Sequence, residues 1–307
     1  MKRRIGLLIT PVLFFVGCAE NIQPEQQENA IRLAGKVEGS ATNVSVTIGA
    51  DYTHALPVAF ARIDNGMSYA NVNEALSATR GAGASSTEIR FNNPQYYPPV
   101  NSDRSETRLV GWFPAVAPVS GVLSFDISEG STDVMLTQEL TGTAARPFCS
   151  SDDSFVFSHQ LCQIIVSVTA SSEETVRRWG ALTSVKIKDM PTNYIVTLPS
   201  TATVSGTTDV VLNRRGGTSK MSPVVLSAGQ YMECGYLLTL PQGTSLTVAL
   251  TGSGGEHRLM EAPLPAGEIF RGGYIYHLRL NLDGVDPVPC TLTSSGWGEE
   301  INLDVEF

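Results

Sequence analysis

Cysteine, aromatic side chains and charge are all thin in this 307-residue chain, which has five cysteines, 7% aromatic and 17% charged residues. The cysteines include no Cys-x-x-Cys pair, which argues against a thiol-ligated metal or a redox centre. Positive charge is the scarcer sign, with 21 Lys and Arg against 30 Asp and Glu and a formal net charge of −9. Nucleic acids and anionic bilayers reward clustered cations, so neither fits as a direct partner. Past Cys18 no apolar run approaches the length, about 18 residues, that crosses a bilayer as a helix. Helix-length stretches of 3.6-residue period are missing too, which excludes α/β architectures such as Rossmann folds and TIM barrels. Marks of catalysis are equally scarce. His54, His159, His257 and His277 are scattered, and no Gly-x-Ser-x-Gly elbow occurs. The segment Arg214-Arg215-Gly216-Gly217-Thr218-Ser219-Lys220 lacks the Walker order and reads as an exposed turn. Asp152-Asp153, Glu173-Glu174 and Glu299-Glu300 are sequence neighbours, whereas a glycosidase needs carboxylates that converge. The sequence therefore points to no enzyme, no metal and no cofactor. His159 and His277 fall inside expected strands, as hydrogen-bonded structural histidines.

What is present starts with the first residues. Lys2, Arg3 and Arg4 precede an apolar run from Ile5 to Val16, and Phe15-Val16-Gly17-Cys18 closes it. The run is too short for a permanent membrane helix and has the layout of an export signal. A lipoprotein signal needs a small residue before the cut and a thiol after it to take the diacylglycerol. Gly17 and Cys18 supply both, so residues 1–17 are expected to be removed and Cys18 lipidated. Removing Lys2, Arg3 and Arg4 leaves 18 Lys and Arg against 30 Asp and Glu, a net charge of −12. Residues 18–30 hold three Glu and three Gln without an apolar cluster, the make-up of a solvated acidic leash. That leash resembles the surface-export signal of Bacteroidota lipoproteins. Cys149, Cys162, Cys234 and Cys290 could form up to two disulfides, with three possible connectivities. Cys162 shares the inward parity of Ile164, Val166 and Val168, so a buried thiol is the alternative there.

From residue 31 onward, short runs of β-branched and aromatic residues recur between Gly, Pro, Asn, Asp and Ser. One set comprises 31–37, 44–48, 58–63, 88–91, 109–113, 122–127 and 134–140. Asn65-Gly66 marks a tight turn. Val72, Ala75, Leu76 and Thr79 fit a short helix at i, i+3, i+4 and i+7, and 80–86 reads as a loop. A second set starts at Phe155 and continues through 161–168, 184–187, 195–198, 209–212, 224–226, 236–240, 246–250 and 274–282, ending at 301–307. One helical turn is expected at 173–179. The pattern predicts an all-β chain with two tandem β-sandwich domains, 31–148 and 149–307, joined by a linker over 141–153. Tyr96-Tyr97-Pro98-Pro99 and Trp112-Phe113-Pro114 read as aromatics packed at a sandwich edge, with a sugar-stacking platform as the alternative. Ile301, Leu303, Val305 and Phe307 alternate with Asn302, Asp304 and Glu306, giving a strand with one apolar and one acidic face. Such a strand either completes its own sheet or is donated to another subunit's edge.

Several phrases carry a resemblance. They are Phe155-Val156-Phe157-Ser158-His159-Gln160-Leu161, Trp179-Gly180 with the strand that follows, Gly111-Trp112-Phe113-Pro114, and Asp133-Val134-Met135-Leu136. Phe270-Arg271-Gly272-Gly273-Tyr274-Ile275-Tyr276-His277-Leu278 and Trp297 complete the set. In this order and spacing, over roughly residues 33–300, they resemble the fimbrillin (Mfa-like) family of Bacteroidota, lipoprotein subunits of type V pili. The resemblance implies two transthyretin-like domains, lipid anchoring to the outer membrane through Cys18, and display in fimbriae at the cell surface. It also implies that an arginine-specific protease removes the first strand of many subunits, opening a groove for a strand donated by another. Residues 31–37 would then be the removable strand, Ile301, Leu303, Val305 and Phe307 the donor, and Arg62 and Arg80 the candidate cleavage points. The partners implied are other fimbrial subunits, in a homo- or heteropolymer, and a host or glycan ligand. The competing expectation is a glycan-binding surface lipoprotein that assists polysaccharide uptake, which would need exposed aromatic pairs on one face.

Overall fold

In the stretch Leu33–Val37, Leu33, Gly35 and Val37 point one way and are buried, while Lys36 points the other way and is exposed. This period of two recurs throughout the chain and makes strands rather than helices. The computed structural model describes residues 29–38, 54–99 apart from 84, 106–148, 154–282 apart from 216, 218 and 265, and 290–296. It is nearly all β, with one α-helix. The earlier strands are β1 Leu33–Val37, β2 Leu56–Asp64, β3 Leu76–Arg80, β4 Thr87–Phe91, β5 Thr107–Phe113, β6 Val122–Asp126, β7 Met135–Leu136, β8 Leu140–Gly142 and β9 Phe155–His159. Next come β10 Cys162–Thr169, helix α1 Glu173–Trp179, β11 Ala181–Met190, β12 Asn193–Thr197, β13 Thr201–Ser205, β14 Thr208–Val211 and β15 Val224–Val225. The last are β16 Met232–Thr239, β17 Ser245–Gly252, β18 His257–Pro263, β19 Tyr274–Asn281 and β20 Cys290–Gly296.

The first sheet runs β2-β3-β4-β1-β9-β7-β5, and a further pairing of β2 with β5 closes it into a barrel-like ring. Its interior holds Leu33, Val58, Phe60, Ile89, Phe155 and Phe157, with the Phe60 and Phe155 rings edge to face at 5.2 Å. Gly111 makes room for Phe60, since a Cβ there would lie 2.7 Å from the ring. Farther along, the sheets β16-β10-β19-β20 and β14-β11-β17-β18 share one core, to which Ile164, Val166 and Leu278 come from one and Val185, Ile187 and Val248 from the other. A fourth sheet, β6-β12-β13, pairs Phe125 with Tyr194 and Leu123 with Val196. Those four side chains meet Trp112 and Ala59 of the ring and Ile165, Tyr236 and Ile275 of the later strands in one apolar seam.

Four expectations change. The first set of strands closes into a ring, because β2 finds partners on both edges. The 157-centred strand of the second set pairs instead in that ring, parallel to β1 and antiparallel to β7. Where a helix was expected at 72–79 the chain instead forms β3 from Leu76, after a short 3-10 turn at Tyr69–Asn71; the open edge of β2 offers a ladder that a short helical pattern does not outweigh. The expected linker holds part of β8 and a fully buried Phe148, stacked on Tyr97 at 5.8 Å. Residues 44–48 and 301–307 lie outside the described residues.

Candidate functional site

β1 sits between two strands distant in sequence. It runs antiparallel to β4, with Leu33 opposite Ile89 and Gly35 opposite Thr87, and parallel to β9, with Gly35 opposite Phe155 and Val37 opposite Phe157. Ile31, Leu33 and Val37 are buried. The N–H of Ile31 donates to the Gln95 carbonyl at 2.8 Å, and the N–H of Glu38 to that of Phe157 at 2.9 Å. Removing β1 would leave β4 and β9 with unpaired facing edges above an apolar floor, the geometry that takes up an extended segment.

Two residues shape this slot. A Cβ on Gly35 would lie 2.6 Å from Ile89 Cδ1 and 2.9 Å from the Phe155 carbonyl oxygen, so only glycine fits. Arg80, the last residue of β3, is fully buried. Its Nε donates to the Gly35 carbonyl at 3.1 Å, Nη1 to Gly81 O at 3.2 Å, and Nη2 to Gly83 O at 2.8 Å and Ser85 O at 2.9 Å. Burial holds its pKa below the usual arginine value.

Arg62 also braces this end of the ring. Its Nε donates to Asp64 at 3.0 Å, Nη1 to Gln95 Oε1 at 3.1 Å and Nη2 to the Tyr96 carbonyl at 2.7 Å. Both arginines expected as protease sites therefore have their guanidinium groups engaged, and Arg80 lies on a strand rather than in the expected loop. Cys18 and the alternating residues Ile301, Leu303, Val305 and Phe307 fall outside the described residues.

The remaining candidates serve packing. Cys162 and Cys234 are free buried thiols, and Cys162 Sγ donates to the Thr239 carbonyl at 3.1 Å. Burial raises both thiol pKa values, that of Cys234 to about 12. Cys149 and the side chain of Cys290 lie outside the described residues. His159, at the end of β9, sets Nδ1 3.0 Å from Asp133 Oδ1, both side chains buried. Trp112 and Tyr97 are buried: Trp112 Nε1–H donates to the Val116 carbonyl, and Tyr97 OH accepts from Phe148 N–H. No group of metal-ligating side chains occurs among the described residues. Sequence reasoning missed Arg80 as a structural group, although Leu76, Ala78 and Arg80 share one parity, and a period-2 reading would have turned Arg80 inward.

No protein-family model and no curated protein matches the sequence. Solved structures do. A candidate cell adhesion protein from Bacteroides uniformis superposes with a TM-score of 0.57 at 17% identity, covering 87% of this chain and 98% of its own. Another from Bacteroides ovatus gives 0.52 at 13% identity, with coverages of 88% and 98%. The chain has the fold of these Bacteroides proteins. A weaker overlap, with a TM-score of 0.46 and 12% identity over 87% of this chain and all of the other, is with the tip fimbrial protein Mfa3 from Porphyromonas gingivalis, truncated at its C-terminus. At these identities the likeness is one of fold.

Proposed function

We propose that this chain is a structural and adhesive subunit of cell-surface fimbriae of the fimbrillin type, exported as a lipoprotein through Cys18 and assembled by strand exchange. The observation that carries the reading is β1 itself, a short strand that among the described residues is held between β4 and β9, both distant in sequence. A strand placed so can be replaced by an extended segment of another subunit, whose main-chain bonds supply affinity and whose alternate side chains supply register. The fold shared with Bacteroides candidate adhesion proteins supports the reading, as do the ordered sequence phrases and the alternating tail. Ile301, Leu303, Val305 and Phe307 are the proposed donor residues. Arg62 is the proposed cleavage point, with cutting expected while β2 is still open; a cut after Arg80 would carry that residue away with β3 and is not proposed. The proposed N-terminal unit, 31–148, and C-terminal unit, 149–307, share β9 across their boundary. No enzymatic role is proposed.

The export half of the reading is tested by metabolic labelling with radioactive palmitate and by cell fractionation. The wild-type chain should take up label and sediment with the outer membrane, and C18S should do neither. An unlabelled wild-type protein in the soluble fraction would refute lipid anchoring.

A further inference from the structure

Arg80 is a buried cation whose donors all end on backbone carbonyls, and no carboxylate pairs with it among the described residues. Three of the carbonyls belong to the loop that leaves β3. The fourth, of Gly35, belongs to a strand two places away in the ring. Arg80 lies opposite Ile89 on β4, and Ile89 lies opposite Leu33 on β1, so the guanidinium reaches past β4 to touch β1. It meets β1 at the residue without a side chain. The Ile89 methyl that a Cβ on Gly35 would strike could turn aside. The Phe155 carbonyl that it would also strike is β9 backbone, fixed by the pairing of β9 with β1.

We propose that Arg80 and Gly35 form a register reader for whatever strand occupies the space between β4 and β9. A segment is admitted only when a glycine lies opposite Phe155 with its carbonyl on Arg80 Nε. Slipping β1 by one residue would turn its apolar set outward. Slipping it by two would keep the face but press Leu33 or Val37 against the Phe155 carbonyl. Backbone pairing alone does not reject that second slip, because every strand offers carbonyls at the same spacing; the demand for glycine does. The partner class then follows, resting on the strand exchange proposed above. The slot takes a segment with the pattern apolar-x-Gly-x-apolar, as in Leu33-Ala34-Gly35-Lys36-Val37. The alternating tail has Ile301, Leu303, Val305 and Phe307 at every apolar place and no glycine among them. Within this chain the Leu33–Val37 strand fits the slot and the tail does not, so a tail donated to this ring comes from a different chain and tail-mediated assembly is heterotypic.

The test is amide hydrogen exchange on the full mature chain, read over β1, with β10 and β16 as internal references. A34D/K36E, which alters only the side of β1 facing away from the interior, should exchange within about threefold of the wild type. G35A and R80M should each exchange at least tenfold faster over β1 and be unchanged over β10 and β16. A34G/G35A, which moves the glycine by one place, should not restore protection. Should R80M fail to fold, the two glycine variants still decide the matter. Wild-type protection in G35A, or its rescue by A34G, would overturn the reader. Synthetic peptides test the partner class: G35A, with its own strand loosened, should bind a peptide of residues 29–38 and not one of residues 297–307. Uptake of the tail peptide would overturn the heterotypic assignment. Absence of the protein from fimbriae, with β1 still obeying these rules, would sink the fimbrial reading and leave the reader standing.

Discussion

Phe155 touches both the floor of the slot and the segment behind it. It packs against Phe60 and, at 5.9 Å between ring centroids, against Phe148, and it is fully buried. F155A should lower stability by about 3–5 kcal/mol in urea unfolding; a loss under about 1 kcal/mol would mean that the ring interior is not what holds the ring. A second residue-scale prediction concerns alkaline pH. Burial, and secondarily Glu233, raises the Cys234 thiol from 9.0 to about 12, and burial raises the Tyr194 phenol from 10.0 to about 12. Both groups bind their protons more tightly in the folded chain than in the unfolded one. Their contribution is complete below the ordinary values and is lost as pH climbs toward 12. The buried Cys162 thiol acts in the same direction, so the urea midpoint should fall above about pH 9, and C162A/C234A should delay the onset of the fall toward about pH 10. A midpoint flat to about pH 11 would contradict the burial of both groups. Parity offered a buried thiol at Cys162 as one of two readings, and a histidine inside a strand suggested a bonded structural role for His159. Arg80 escaped because a cation ordinarily signals surface, and only the ring tells which way it turns.

At the scale of elements, α1 was legible from its caps. Ser172 accepts from the Thr175 N–H at 3.1 Å, Glu173 and Glu174 stand in the first turn, Arg177 and Arg178 in the last, and Gly180 closes it at φ 65°. S172A should cost about 1 kcal/mol, measured by thermal unfolding. No change would mean that the helix is held by Trp179 packing alone. Asn65-Gly66 was equally legible, since both residues take positive φ, 53° and 78°. Many strands followed from alternation, whereas β3, β13, β18 and β20 were not among the expected runs, and β10 was read one residue before its observed bounds. The stretch around 72–79 was not legible, because four apolar positions over eight residues fit either period and the open edge of β2 decides between them.

At the scale of the whole molecule, the two groups of strands were visible but not how they join. β1 pairs with β9 across more than a hundred residues, and β6 with β12 across about seventy. Such pairings leave no local mark, since they depend on which edges remain open after the nearer hairpins have formed. The alternating tail reads from the sequence as a strand and lies outside the described residues. The central claim is that this tail enters another subunit, and the most direct measurement compares the wild-type chain with one lacking residues 301–307 in filaments sheared from cells. The account predicts wild-type protein in the sheared filaments and the shortened protein in the outer membrane but absent from them. Equal recovery of both in the filaments, or abundant filaments free of the wild-type chain, would contradict it.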